Sequence, residues 1–135
     1  MKTRYTVALA MLAGIGLGTI AVQGLHAQAK APVYYVSEID VRDADTYAKE
    51  YAPKAQAIIK AAGGRFVAVG GVGGNLAGRM TTFEGEAPKR LTIQVWDSLE
   101  KIKAWRDSKE FAEIRKVGEK YATFSRGFAI EGVPQ

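Results

Sequence analysis

The apolar period of this chain switches between two and roughly 3.6 residues, and the order of the switches leaves few folds open to it. VYYVSEI, from Val33 to Ile39, is rich in β-branched and aromatic residues and reads as a strand. From Ala44 the period changes. Tyr47, Tyr51, Ala55, Ile58, Ile59 and Ala62 recur at helical spacing, with Lys and Glu between them. Asp43 or Asp45 supplies a capping oxygen, and Gly63 and Gly64 end the helix. Pro53 has no N–H for the Lys49 carbonyl, which predicts a kink.

RFVAVGG (Arg65 to Gly71) is a second strand and RLTIQVW (Arg90 to Trp96) a third. In the third, Leu91, Ile93 and Val95 alternate with Thr92, Gln94 and Trp96. The aliphatic row is expected to meet the helices, with Gln94 on the other face. DSLE follows, with Asp97 as the expected cap and Glu100 completing a capping box. Leu99, Ile102 and Trp105 continue at helical spacing. A polar break at Asp107 and Ser108 precedes a short helix through Phe111, Ile114 and Val117, with Gly118 at its expected end. TFSRGFAI (Thr123 to Ile130) is the last strand. The order β-α-β-β-α-β predicts an α+β, ferredoxin-like fold: an antiparallel four-stranded sheet with helices on one face.

The first 29 residues are of another kind. Lys2 and Arg4 precede a run of small and apolar residues from about Tyr5 to Val22, and AQA (Ala27 to Ala29) closes it. Charged start, apolar middle and small-x-small end describe a cleaved export signal, hence a secreted or periplasmic protein; a retained membrane anchor is the alternative. Removing these 29 of 135 residues leaves 106 from Lys30 and lowers the net charge from +5 to +3. That is one small domain, residues 30–135, and its modest, interleaved charge does not describe a nucleic-acid binder.

The chain has no cysteine, and its one histidine, His26, lies in the export segment. The remaining domain therefore lacks the residues for Ser-His-Asp or Cys-His nucleophilic sites, for ordinary zinc sites and for His- or Cys-ligated haem. No metal or cofactor is expected. GGNLAGRM (Gly73 to Met80) has the glycine spacing of a phosphate-binding loop, but Arg79 and Met80 stand where Lys and Ser or Thr are needed. Strand and turn residues follow instead of a helix. The stretch reads as a long connection between the second and third strands, with a short strand expected near Met80 to Phe83 and glycines that permit positive φ.

Several short motifs recur in a fixed order: GGRF (Gly63 to Phe66), FEGEAPKR (Phe83 to Arg90), DSLEKIKAWRDSKEF (Asp97 to Phe111) and IEGV (Ile130 to Val133). In these the chain resembles the DUF1330 family, small domains of unknown function with the dimeric α/β-barrel version of the ferredoxin-like fold. The resemblance spans about Val33 to Val133 and implies a homodimer whose sheets pack face to face. There are departures: Arg106 stands where family members often have Tyr, Lys109 where they often have Pro, and Glu86-Ala87 where the turn often carries an aromatic. A ligand site built on those aromatics would be altered here.

Candidate ligand-binding residues follow from residue chemistry. Glu84, Glu86, Lys89 and Arg90 gather at one turn, either as a clamp for an anionic ligand or as a solvated hairpin with weak local ion pairs. Arg65 carries the same two readings. Tyr34, Tyr35, Tyr47 and Tyr51 offer hydroxyls to a pocket, or else pack in a core or interface. Gln94, polar on a central strand, needs a partner when buried: water, a second subunit or a ligand. The ligand set is Gln94, Arg65, Glu84, Arg90 and Tyr35. Two functions stay open: a small-molecule binder or enzyme working in a homodimer, and a non-catalytic structural or protein-interaction domain of the cell envelope.

Overall fold

The computed structural model describes residues 31–74, 76 and 78–135. The expected export signal, residues 1–29, and its cleavage point lie outside the described residues. The chain runs β1 (Val33–Val41), α1 (residues 44–62), β2 (Arg65–Gly71), β3 (Arg90–Trp96), α2 (Leu99–Arg106), α3 (Lys109–Glu119) and β4 (Ala122–Glu131). The strands lie in the order β2-β3-β1-β4, and every neighbouring pair is antiparallel. This is the expected α+β, ferredoxin-like arrangement. Among the described residues no helix is long and apolar enough to cross a membrane.

The first helix, α1, joins an α turn (Ala44–Thr46), a π turn (Tyr47–Tyr51) and an α-helix (Ala52–Ala62). Asp43 caps it: its side chain accepts from the Thr46 N–H at 3.1 Å and the Thr46 hydroxyl at 2.7 Å. These bonds hold its carboxyl below the usual range, the hydroxyl contact first. The disturbance expected from Pro53 takes the form of the π turn, in which the Ala52 N–H reaches back five residues to the Tyr47 carbonyl. The wider turn carries both Tyr47 and Tyr51 into the interior. Gly63 ends α1 at φ +107°, as its position predicts.

Two local expectations are corrected. Ser98, not Asp97, caps α2: the helix begins at Leu99, so the Ser98 oxygen is the one within reach of the Lys101 N–H, at 3.2 Å. Asp97 pairs instead with the Lys101 ammonium at 3.0 Å. Gly118 does not end α3, which runs to Glu119. It lies inside the helix because the Tyr51 ring fills the space a side chain would take; a Cβ there would sit 2.7 Å from Tyr51 Cδ2.

The larger correction concerns the sheet. Arg90, Thr92, Gln94 and Trp96 are the buried, helix-facing row of β3, and Leu91, Ile93 and Val95 are the half-buried outer row. Trp96 decides the orientation. Its ring packs on Trp105 of α2, centroids 5.3 Å apart, in a cluster with Tyr35, Ile59, Ile102 and Phe111. Alternation then carries Gln94, Thr92 and Arg90 inward with it. A second cluster gathers Ile39, Val41, Tyr47, Tyr51, Ala52, Ala55, Ile114 and Ala122.

The outer face is also apolar. Val95, Tyr34 and Ile130 form one row across β3, β1 and β4, and Ile93, Val36 and Phe128 the next. Phe128 and Ile130 are 49% and 57% exposed.

Between β2 and β3 the described residues form no strand near Met80 to Phe83; one parallel bridge joins Gly70 to Gly78. Residues 78–89 contain no helix, so the element a phosphate-binding loop requires is missing. The glycines serve close packing instead. Gly73 (φ +97°) passes over Tyr47, where a Cβ would meet the ring at 2.8 Å.

Candidate functional site

Four polar residues are buried in the sheet, Ser37, Arg90, Thr92 and Gln94, and all four line one cavity under the helices. Its floor consists of cross-strand neighbours on β1 and β3: Tyr35 opposite Gln94, Ser37 opposite Thr92, Ile39 opposite Arg90. Its roof is α1, through Tyr47, Tyr51, Ala55 and Gln56, with Arg115 reaching in from α3. The free volume is ≈ 30 Å³. Space for one water begins near 10–15 Å³, so this holds about two.

The cavity is supplied with donors. Arg90 is 2% exposed; its Nη1 donates to the Val72 carbonyl at 3.1 Å, and its Cζ lies 5.5 Å from the centre of the Tyr47 ring. The Arg115 guanidinium stacks on Phe124 at 3.7 Å and on Phe111 at 4.7 Å. No carboxylate pairs with either arginine among the described residues, where every ion pair joins other side chains. Three buried side-chain atoms have no hydrogen-bond partner there: Gln56 Nε2, Arg90 Nε and Arg115 Nε. All three are donors, and all three residues line this cavity. Buried donors without acceptors are rare and expensive.

Gln94 is held in orientation by Trp96, whose Nε1 donates to Gln94 Oε1 at 2.8 Å. The amide oxygen is thereby committed and the amide nitrogen remains a donor. Burial pushes the hydroxyls of Tyr47 and Tyr51 above the ordinary tyrosine range; the positive charges of Arg90 and Arg115, and the hydrogen bonds Arg90 gives Tyr47 and Arg115 gives Tyr51, oppose this without cancelling it. Both phenols therefore stay protonated and able to donate.

Of the residues singled out from sequence, Tyr35, Tyr47, Tyr51, Arg90 and Gln94 meet at this cavity. Arg65 and Glu84 do not: Arg65 is exposed beside Val95 on the outer sheet face, and Glu84 is exposed in the β2–β3 connection. The charged turn is divided. Lys89 pairs with Asp40 at 3.0 Å in solvent, while Arg90, one residue on, turns inward. Sequence reasoning missed Ser37, Thr92, Gln56 and Arg115 as cavity residues. A signal existed for Gln56, which interrupts the apolar stripe of Ala52, Ala55 and Ile59. Arg115 carried none, since an arginine on an amphipathic helix ordinarily reads as solvated.

A sequence family described as "Domain of unknown function (DUF1330)" matches residues 32–133. Among curated proteins, none matches the chain. Among solved structures it is similar to a protein of unknown function from Rhodopseudomonas palustris, at 13% identity and a TM-score of 0.56, over 85% of this chain and 92% of that one. It is also similar to a conserved protein of unknown function from Bacteroides thetaiotaomicron, described as a possible oxidoreductase, at 14% identity and a TM-score of 0.50, over 77% and 100% of the two chains. At such identities the likeness is one of fold.

Proposed function

The chain belongs to the DUF1330 family, and from that premise we propose that it is an exported small-molecule-binding domain whose ligand sits in the cavity between sheet and helices of each subunit. The observation that carries this reading is the convergence of three unpaired buried donors, and no carboxylate, on one cavity. Donors left unpaired cost about 1–3 kcal/mol each, a cost that an acceptor-rich ligand removes on binding. The ligand is thus held inside each subunit, not between two sheets.

The homodimer belongs to the proposal through the other face. Tyr34, Val36, Leu91, Ile93, Val95, Phe128 and Ile130 make an apolar surface continuous over three strands. A second copy laid on it would cover that surface, which a lone domain leaves to water. That surface also favours a second reading, a non-catalytic domain acting only through this face. In that case the cavity holds water.

One experiment addresses all three parts: native mass spectrometry of the protein purified from its own host. The expected result is a dimer of chains beginning at Lys30, each retaining a small molecule. A monomer at micromolar concentration removes the dimer, a chain beginning at Met1 removes the cleaved signal, and a dimer without adduct supports the second reading.

A further inference from the structure

We infer that the group bound in the cavity is a planar carboxylate, and that the cavity discriminates against tetrahedral oxyanions such as sulfate and phosphate. This rests on the reading of the cavity as a ligand site. The first argument is the geometry of Arg90. Its Nη1 is engaged by the Val72 carbonyl, and its buried Nε has no partner. The unpartnered Nε–H lies on the edge of the guanidinium where it and one Nη2–H point the same way in one plane. Their spacing matches the two oxygens of a carboxylate, which this edge binds side-on through two parallel hydrogen bonds.

The second argument is space. Charge by itself favours a dianion, because two guanidinium groups and no carboxylate line the cavity. Volume opposes it. About two waters fit in ≈ 30 Å³, so the three-atom carboxylate end overfills the space far less than a five-atom tetrahedral ion does. A tetrahedral ion, bulky in all directions around its centre, requires the packed walls to move further than a flat carboxylate end does, and Tyr47, Tyr51, Trp105 and Phe124 are held by neighbouring aromatic rings.

The third argument is the donor set. Gln56 Nε2 and Arg115 Nε supply two more N–H groups, and the Tyr47 and Tyr51 phenols stay protonated. Each carboxylate oxygen has lone pairs beyond the one used by the Arg90 fork, and these donors are the ones available to them. The substituent on the carboxylate meets Ile39, Ile59 and Phe124, which offer it apolar contact and no hydrogen bond. The carboxylate end takes the place of the water, and the remainder of the acid, from the acetate methyl onward, needs a side chain of the wall to give way.

The test is titration calorimetry of the mature, ligand-stripped protein with acetate, sulfate, phosphate and chloride at fixed ionic strength. Acetate is expected to bind at least about tenfold more tightly than sulfate or phosphate. Arg90→Lys keeps the charge and loses the fork, so the preference for acetate should disappear. If Arg90→Lys does not fold, Gln56→Leu serves: it should weaken acetate severalfold. Equal binding of acetate and sulfate overturns the inference and leaves the ligand reading standing. So does a molecule retained from the host that carries no carboxylate. Acetate binding indifferent to both variants places it elsewhere and also overturns the inference. No binding of any anion, with no retained molecule, removes both readings.

Discussion

Replacing Arg90 by methionine should make the ligand-free protein more stable while abolishing its binding. Arg90 is 2% exposed and its guanidinium has no carboxylate partner among the described residues. Burying an ion in this way costs several kcal/mol after relaxation. Its unpaired Nε adds to that cost. Against it stand one charge-assisted hydrogen bond to Val72, about 1.5–3 kcal/mol, and the cation near the Tyr47 ring at 5.5 Å, about 0.5–1 kcal/mol. Methionine has a similar reach, is unbranched, and fills irregular space without a charge. The Val72 carbonyl left behind belongs to a residue 47% exposed, so water can take up that bond. The balance favours Arg90→Met by about 1–2 kcal/mol, and each kcal/mol raises the melting midpoint by roughly 4–8 °C in a domain of this size. Both tryptophans, Trp96 and Trp105, lie in the core, so their fluorescence reports unfolding in heat or urea. The comparison must use ligand-stripped protein, because a retained ligand stabilises the unmutated form by mass action. A loss of more than about 2 kcal/mol would refute the reasoning. Arg90 would then be a structural pin between β3 and the glycine-rich connection.

Stability should fall in alkali through Tyr47 and Tyr51. Burial raises both hydroxyls above their unfolded value near 10, so below that pH neither state ionises; above it the unfolded chain loses protons that the folded chain keeps. The decline is about 1.4 kcal/mol per pH unit for each tyrosine. The double variant Tyr47→Phe/Tyr51→Phe should remove that excess slope in urea melts from pH 9 to 11, and an unchanged slope counts against the assignment. Gly127→Ala should cost about 1–3 kcal/mol, because a Cβ there meets the hydroxyl of Tyr35, whose ring is fixed edge-on to Trp105 at 5.3 Å. Tyr35→Phe removes that oxygen, so the two changes together should cost little more than Tyr35→Phe alone; simple additivity in a double-mutant cycle would deny the contact.

The elements of this protein were largely determined by local sequence. β2 and β3 begin and end at the residues read from RFVAVGG and RLTIQVW, and the break at Ser108 holds because its hydroxyl accepts from the Phe111 N–H at 3.1 Å. Such features depend on residues a few positions apart, so they are legible without the fold. Pro53 likewise announced a disturbance in α1, though not that a π turn would absorb it. The candidate site was only half legible. Alternation in RLTIQVW shows which side chains share a face, and so groups Arg90 with Gln94. It does not show which face the helices cover, and aliphatic content pointed to the wrong one. The contacts of Trp96 with Trp105 and Ile102 reversed the sheet. They turned a charged residue at the edge of a solvated turn into a buried cation, and left Leu91, Ile93 and Val95 outside. Arg115 and Gln56 joined Arg90 for the same reason. Spacing along one element is set by its own backbone geometry, whereas which faces meet depends on side-chain volumes on segments distant in the chain.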